Sequence, residues 1–143
     1  MNVIGTGWRH YANPALPTQA LLRLLDLCGE KQEPLLVIHG DGNGLDQILK
    51  NWALRQKAAG HNIDQKPYPA DWHIWGRRAG FLRNATMWAT NWHHTDLCLA
   101  FPGPPGQSPG TANCVDLAGT YGCPVWFTPW GSLELTPMPP LRD

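Results

Sequence analysis

The amino-acid sequence predicts an α/β fold: a three-layer sandwich in which a mostly parallel five-stranded sheet of order 3-2-1-4-5 carries helices on both faces. Three observations lead there. Strand-like and helix-like patterns alternate from Asn2 to Phe127. The run Leu35–Ile38 is apolar without a break, as a strand covered on both faces is. Glycine-rich segments follow the first, second and fourth strand-like runs, the position of ligand-bearing loops in parallel sheets. Right-handed crossovers leave few topologies. The order 3-2-1-4-5 sets strands 1 and 4 side by side, so that residues 5–9 and 102–111 face each other across one crevice, with 39–44 beside it.

Taken in order, Asn2–Thr6 reads as the first strand, left through Gly5 and Gly7. Pro14 and Pro17 punctuate the entry to a helix with Thr18 as its N-cap. Leu21, Leu24, Leu25 and Cys28 form its stripe, widened by Leu22, and Gly29 is its stop. After the second strand, Leu45, Ile48, Leu49, Trp52 and Ala53 mark one face of the clearest helix, closed by Gly60. Ile63–Tyr68 is a polar-interrupted strand, and Pro67 assigns it to a sheet edge. Residues 69–78 form a long aromatic and basic connection. A third helix over Ala79–Trp92 is predicted to bury Phe81, Ala85, Trp88 and Trp92. Leu97–Phe101 is the fourth strand and Thr111–Tyr121 the fourth helix, with Val115 and Ala118 inward. Pro124–Phe127 is the fifth strand. Residues 1–127 are read as one domain and 128–143 as an irregular, proline-rich tail.

A chain of 143 residues suffices for a real core. Its formal net charge is zero, so neither nucleic acid nor an anionic membrane is favoured by bulk attraction, and any anion site must be local. No apolar run approaches the roughly 20 residues of a membrane helix, and no basic-then-apolar leader opens the sequence. A soluble, cytoplasmic protein is expected, with homo-oligomerisation left open. Cys28, Cys98, Cys114 and Cys123 lack metal-binding spacing and are expected reduced and buried. No metal site and no cofactor is predicted.

The glycine loops and the helix starts behind them suit an anion. Arg9 is placed to reach a phosphate or carboxylate, and Arg77, Arg78 and Arg83 crowd a helix N-terminus, where an anionic ligand would offset their conflict with the dipole. Asp46, in a first helical turn, either serves the helix dipole or touches ligand. His39, at a strand end, is either a hydrogen-bonded structural histidine or a ligand contact. Trp8, Trp72 and Trp75 lie in loop-like contexts where a ring could stack on a flat ligand.

Five segments occur in one order: Gly-Thr-Gly-Trp-Arg at 5–9, His-Gly-x-x-x-Gly-x-Asp at 39–46, Tyr-Pro-Ala-Asp-Trp at 68–72, Arg-Asn-x-x-Met at 83–87, and Phe-Pro-Gly with Gly-Thr-Ala across 101–112. Together they resemble the YspA-type branch of the SLOG superfamily, Rossmann-like proteins related to the LOG phosphoribohydrolases and to DprA. The resemblance spans about residues 3–127. It implies a Rossmann-like fold and a pocket for a nucleotide or nucleotide-derived ligand, in some relatives for sensing or effector roles in conflicts between bacteria and phages. Carried onto this chain, the binding set is Gly5, Thr6, Gly7 and Arg9; His39, Gly40, Gly44 and Asp46; Asp71, Trp72, Arg78, Arg83 and Asn84; and Pro102, Gly103, Gly110 and Thr111.

The chain also departs from that pattern. The loop after strand 4 carries extra residues, Pro104–Pro109, and Asn43 replaces an arginine common in the family. The position of the LOG catalytic glutamate is Cys114, and that of the acid usual in YspA-type relatives is Asn113. The expected function is therefore binding of a nucleoside phosphate or an ADP-ribose-like molecule by a sensor or sequestering module. The alternative is an N-glycosidase or phosphoribohydrolase with Asp46, Asp71 or Asp116 as a substitute acid. The partner is a small-molecule nucleotide, and DprA-like binding of single-stranded DNA is disfavoured by the neutral charge.

Overall fold

The computed structural model describes residues 1–142; Asp143, the end of the predicted tail, lies outside them. The elements run β1 (Asn2–Gly7), α1 (Ala15–Lys31), β2 (Leu35–His39), α2 (Leu45–Ala58), β3 (Ile63–Pro67), α3 (Trp72–Trp75), α4 (Ala79–Asn91), β4 (Leu97–Phe101), α5 (Pro109–Thr120) and β5 (Val125–Phe127). The five strands form one sheet of order β3-β2-β1-β4-β5, and every pairing is parallel. The predicted architecture and strand order are those observed, and β3 is an edge strand. Val3 pairs with Leu97 and Gly7 with Phe101, so β1 and β4 end together.

Alternation along each strand divides the core into two layers. Val3, Val37, Leu97 and Leu99 pack with Leu21, Leu24, Leu45 and Leu49 of α1 and α2. Ile4, Ile38 and Cys98 pack on the other face with Met87, Trp88, Cys114 and Ala118 of α4 and α5. All four cysteines are buried and unpaired.

The contact between β1 and α2 is unusually close. A Cβ at Gly5 would lie 2.3 Å from Leu49 Cδ1, and one at Gly7 would lie 2.0 Å from Leu45 Cδ2. The missing side chains of the strand are filled by leucines of the helix. Gly44, at the start of α2, has φ of 67°, and a Cβ there would meet the Trp8 carbonyl oxygen at 2.4 Å. That position needs glycine on both counts.

Several local expectations are corrected. α1 starts at Ala15, and Thr18 is not its cap: the Thr18 hydroxyl donates to the carbonyls of Pro14 and Ala15. Pro17 fits inside the first turn because its missing N–H has no helical partner there. Gly29 does not stop the helix, which ends at Lys31 with Gln32 left-handed at φ 54°. Leu22 is exposed rather than part of the stripe. In α4 the buried side chains are Ala79, Asn84, Met87 and Trp88, while Phe81 and Ala85 face outward. The inner face of α4 is small and polar at its start, so the apolar pattern pointed to the wrong stripe. α5 begins at Pro109, two residues early, and buries Thr111, Cys114 and Ala118 rather than Val115. The long connection holds α3, capped by Asp71, whose side chain accepts from the Ile74 N–H.

Residues 128–142 contain no helix or strand, yet they are tied down. The Trp126 indole donates to the Thr136 carbonyl at 2.9 Å. Arg142 donates to the carbonyls of Trp92, Thr95 and Tyr121. Among the described residues, no helix is long and apolar enough to cross a membrane.

The close β1–α2 contact makes a testable difference between glycines. Gly7→Ala should destabilise by about 1–3 kcal/mol in chemical denaturation, the usual cost of overpacking. Gly29→Ala, within α1 and with no atom inside 4 Å of the place its methyl would take, should stabilise by about 0.5–1 kcal/mol. Equal effects would contradict the packing described.

Candidate functional site: a polar cleft at the ends of β1 and β4

The chain leaves β1 and β2 through loops that are fastened to each other. The Trp8 N–H donates to the Phe101 carbonyl at 3.1 Å, extending the β1–β4 ladder by one step. The Trp8 carbonyl accepts from Tyr11 N–H at 3.0 Å and from Leu45 N–H at 3.2 Å, which locks the loop after β1 onto the start of α2. Between these loops and the start of α5 opens a cleft of about 660 Å³. Its walls are Gly7, Trp8 and Arg9; Asp41, Gly42, Asn43 and Asp46; Trp72 and Arg83; and Gln107–Thr111. Beneath it lies a small polar recess of about 50 Å³ bordered by Gly5, Thr6, Gly40, Asp46, Arg83, Asn84, Gly110 and Thr111.

Two buried polar groups face this space. Thr111, in the first turn of α5, is 3% exposed, and its hydroxyl finds no hydrogen-bond partner among the described residues. An unmade hydrogen bond at a buried hydroxyl costs about 1–3 kcal/mol. Asp46 is 9% exposed, and its Oδ2 accepts from the Gly42 N–H at 3.0 Å. Burial pushes the Asp46 carboxyl above the usual carboxylate range, against the opposing pull of Gly42 N–H, His39 and Arg83. Asp41 behaves oppositely: the Lys50 ammonium, 3.0 Å from its Oδ1, holds it below the ordinary value. Asp41 itself sits at φ 54°, a conformation its short polar side chain tolerates.

The structure sorts the predicted residues. Gly7, Arg9, Asp46, Trp72, Arg83, Gly110 and Thr111 border the cleft, and Gly5, Thr6, Gly40 and Asn84 border the recess. Arg83 is committed in part to the protein: its guanidinium donates to the carbonyls of Gly40 and Tyr68, and its Nε donates to Asn84 Oδ1 at 2.8 Å. Asn84 in turn donates to the Gly110 carbonyl and to Asn113 Oδ1, joining α4 to α5. Gly44 packs on the backbone of Trp8 and Arg9 instead of lining the cleft. Gly103 lies under the Trp8 ring, and with Pro102 it borders a neighbouring cavity.

His39 is fully buried. Its Nδ1 accepts from the Asp41 N–H at 3.0 Å, which leaves Nε2–H to donate to Gln65 Oε1 at 2.6 Å. Both ring nitrogens are used, so His39 shapes the loop after β2 and does not reach the cleft. Asp71 caps α3. Arg77 and Arg78 are exposed and border neither the cleft nor the recess, so the expected cluster of three arginines reduces to Arg83.

Cys114 occupies the position of the LOG glutamate but faces the core, fully buried. The Trp88 indole donates to its sulfur at 3.2 Å. Burial alone would hold this thiol protonated. Hydrogen bonds from Cys98, Trp88 and Thr6 outweigh burial and pull Cys114 below its ordinary value, while Cys98 is pushed well above its own. Among the described residues no group of three or more His, Cys, Asp or Glu side chains could hold a metal ion.

Asp41, Gly42, Asn43, Gln107, Ser108 and Pro109 also line the cleft; they lie in the segments expected at the crevice but are not singled out by sequence as contacts. The run Asp41–Asn43 lies within the second glycine loop, and its ordinary turn chemistry gives no further signal. Ser108 precedes a proline at the start of α5, the arrangement of a helix entry.

The fold and the cleft define an α/β protein with a Rossmann-like arrangement. Over 91 residues the chain is 40% identical to the Gene 61 protein of Mycobacterium phage D29, a match covering 64% of this chain and 69% of that protein. The chain belongs to the family of that phage protein. No family model matches the chain. The X-ray structure of TM1055, a structural genomics target, superposes with a TM-score of 0.50 at 17% identity, covering 87% of this chain and 71% of that one; this likeness concerns the fold alone.

The raised Asp46 carboxyl gives a pH-dependent prediction. A group raised by burial is tolerated while protonated and lowers stability as pH rises through its folded-state value. Asp46→Asn should therefore raise the melting temperature at neutral pH, with the gain vanishing below the ordinary aspartate range near pH 4. Thermal melts of both proteins across pH check this, and a gain that grows in acid would refute it.

Proposed function

We propose that this chain binds a nucleotide or nucleotide-derived small molecule, a nucleoside phosphate or an ADP-ribose-like molecule, as a sensor or sequestering module. The observation that carries this reading is the Thr111 hydroxyl, buried without a partner in the first turn of a 12-residue helix and bordering a polar cleft. The free N–H groups of α5 and that hydroxyl suit a phosphate oxygen. Charge supports the same ligand. Lys50 offsets Asp41, Gly42 N–H offsets Asp46, and Arg9 and Arg83 add positive charge at the cleft wall. The cleft also lies at the switch point of the sheet, where ligands of such folds bind.

The five motifs support placing the chain in the YspA-type branch of the SLOG superfamily, with residues 1–127 as the binding domain and a cytoplasmic location. Its similarity to a phage protein supports a role in conflict between bacterium and phage. Binding is favoured over cleavage because Cys114 turns into the core and Asn113 is held by Asn84, so neither family acid position supplies a carboxylate. One observation favours the alternative N-glycosidase reading: Asp46 is a buried carboxylate at the cleft, where it could face a ribosyl cation.

Calorimetric titration with pyrophosphate, ADP-ribose and nucleoside monophosphates tests the reading. Thr111→Val should weaken every phosphate-bearing ligand by about 5- to 10-fold, the loss of one hydrogen bond. The same variant should leave the free protein as stable or more stable, since an unmade bond is removed. Arg9→Ala should weaken the same ligands and spare nucleosides. Equal affinity for nucleosides and their phosphates would refute the anion site. Release of free base on chromatography, lost in Asp46→Asn, would establish cleavage instead.

A further inference from the structure

Beside the cleft lies a second cavity, of about 610 Å³, with different chemistry. Its lining is dominated by Pro104, Pro105, Val115, Phe127, Pro129 and Trp130, and Asp116 is the one charged side chain in it. Phe127 and Trp130 are 42% and 47% exposed, so two large rings border an open chamber rather than closing it.

The chamber is rigid on each side. Trp130 stands edge-on to Trp8, ring centroids 5.0 Å apart at 76°, and edge-on to Tyr11 at 6.0 Å and 83°. The chain beyond β5 is held by Thr128 N–H on the Ala100 carbonyl at 3.0 Å and by the Thr136 hydroxyl on the Phe127 carbonyl at 2.8 Å. The opposite wall is the loop that departs from the family pattern. It is closed by Gln107 N–H on the Pro104 carbonyl at 3.0 Å and by Gly103 N–H on the Ser108 hydroxyl at 3.1 Å. Its prolines restrict it further. A ring entering such a preformed chamber has little to order.

The two cavities share Ser108, Pro109 and Thr111. The boundary is the first turn of α5, the segment that a sugar joining base to phosphate would cross. We infer that the apolar chamber is a second subsite that takes the nucleobase of the ligand whose phosphate occupies the cleft. The base stacks against Trp130 and Phe127, and the sugar crosses at Ser108–Thr111. Asp116, at the chamber wall, accepts from an amino group of the base. This subsite rests on the nucleotide reading proposed above and assigns to the proline-rich loop the selection of base-bearing ligands over simple phosphates.

Calorimetry on the full chain tests it with inorganic pyrophosphate, ribose 5-phosphate, the four common nucleoside monophosphates and their nucleosides. Two variants are compared with wild type. Trp130→Ala removes the stacking ring, and Ala112→Trp fills the chamber from an exposed helical position that should not disturb folding. Wild type should bind its best monophosphate about tenfold or more tightly than ribose 5-phosphate, the low end of what stacking one base contributes. Both variants should shrink that ratio to about twofold while leaving pyrophosphate unchanged. A ratio near one in wild type, or a ratio that Ala112→Trp leaves intact, overturns the subsite while the anion site stands. Nucleosides that bind in a Trp130-dependent way with no gain from a phosphate would keep the subsite and overturn the anion site. Failure of every probe to bind overturns both.

Discussion

The close approach of α2 to β1 is the constraint on which the rest of the molecule depends. Leu45 and Leu49 occupy the space where side chains of Gly7 and Gly5 would stand. This brings the N-terminus of α2 against the exit of β1, and Leu45 N–H can then donate to the Trp8 carbonyl. Gly44 completes the junction with a left-handed turn pressed on the Trp8–Arg9 backbone. Trp8 is in this way fixed over Gly103, in the loop that follows β4 on the other side of β1 from β2. One packing decision at the middle strand therefore positions three loops relative to one another, and the cleft is what remains between them.

The electrostatics of the cleft follow from where each acid was placed. Two aspartates in the cleft would oppose the proposed anionic ligand if they stood without partners. Asp41 is matched by Lys50 at 3.0 Å, so the pair presents little net field. Asp46 sits behind Gly42 N–H, and burial weakens its tendency to ionise. What stays uncompensated is Arg9, part of Arg83, and the N–H groups at the start of α5. In a protein with zero net charge a local positive field comes from how the charges are arranged, and here the cleft acids are paired or buried.

Much of the fold was legible because it depends on patterns that survive in one dimension. Apolar runs, the glycines that follow strands and the polar β3 reveal a parallel sheet and its edge. The errors came where the pattern is set by a partner remote in sequence. Phe81 and Leu82 are the most apolar residues near the start of α4, yet both are exposed, because Asn84 takes the inner face to join α5. His39 was ambiguous until Gln65, from the neighbouring strand, was seen to satisfy its second nitrogen. The glycines were the subtlest case. Sequence indicates that a side chain must be absent but cannot say what fills the space. At Gly5 and Gly7 the answer is a leucine, and at Gly40 it is the Arg83 guanidinium.

Cys114 and Thr111 make opposite use of the same face of α5. Both lie on the buried face of α5, three residues apart, and both lie within reach of polar neighbours. Cys114 points into the layer formed by Trp88 and Cys98, away from the cleft, and a longer glutamate side chain there would overpack the core. A glutamate at that position would not by itself present an acid to the cleft, because the side chain there faces the core. Thr111 instead keeps a buried hydroxyl without a partner, a cost of about 1–3 kcal/mol that an isosteric valine would avoid. That hydroxyl, at the start of α5 and bordering the cleft, is the group that the proposed anionic ligand would satisfy.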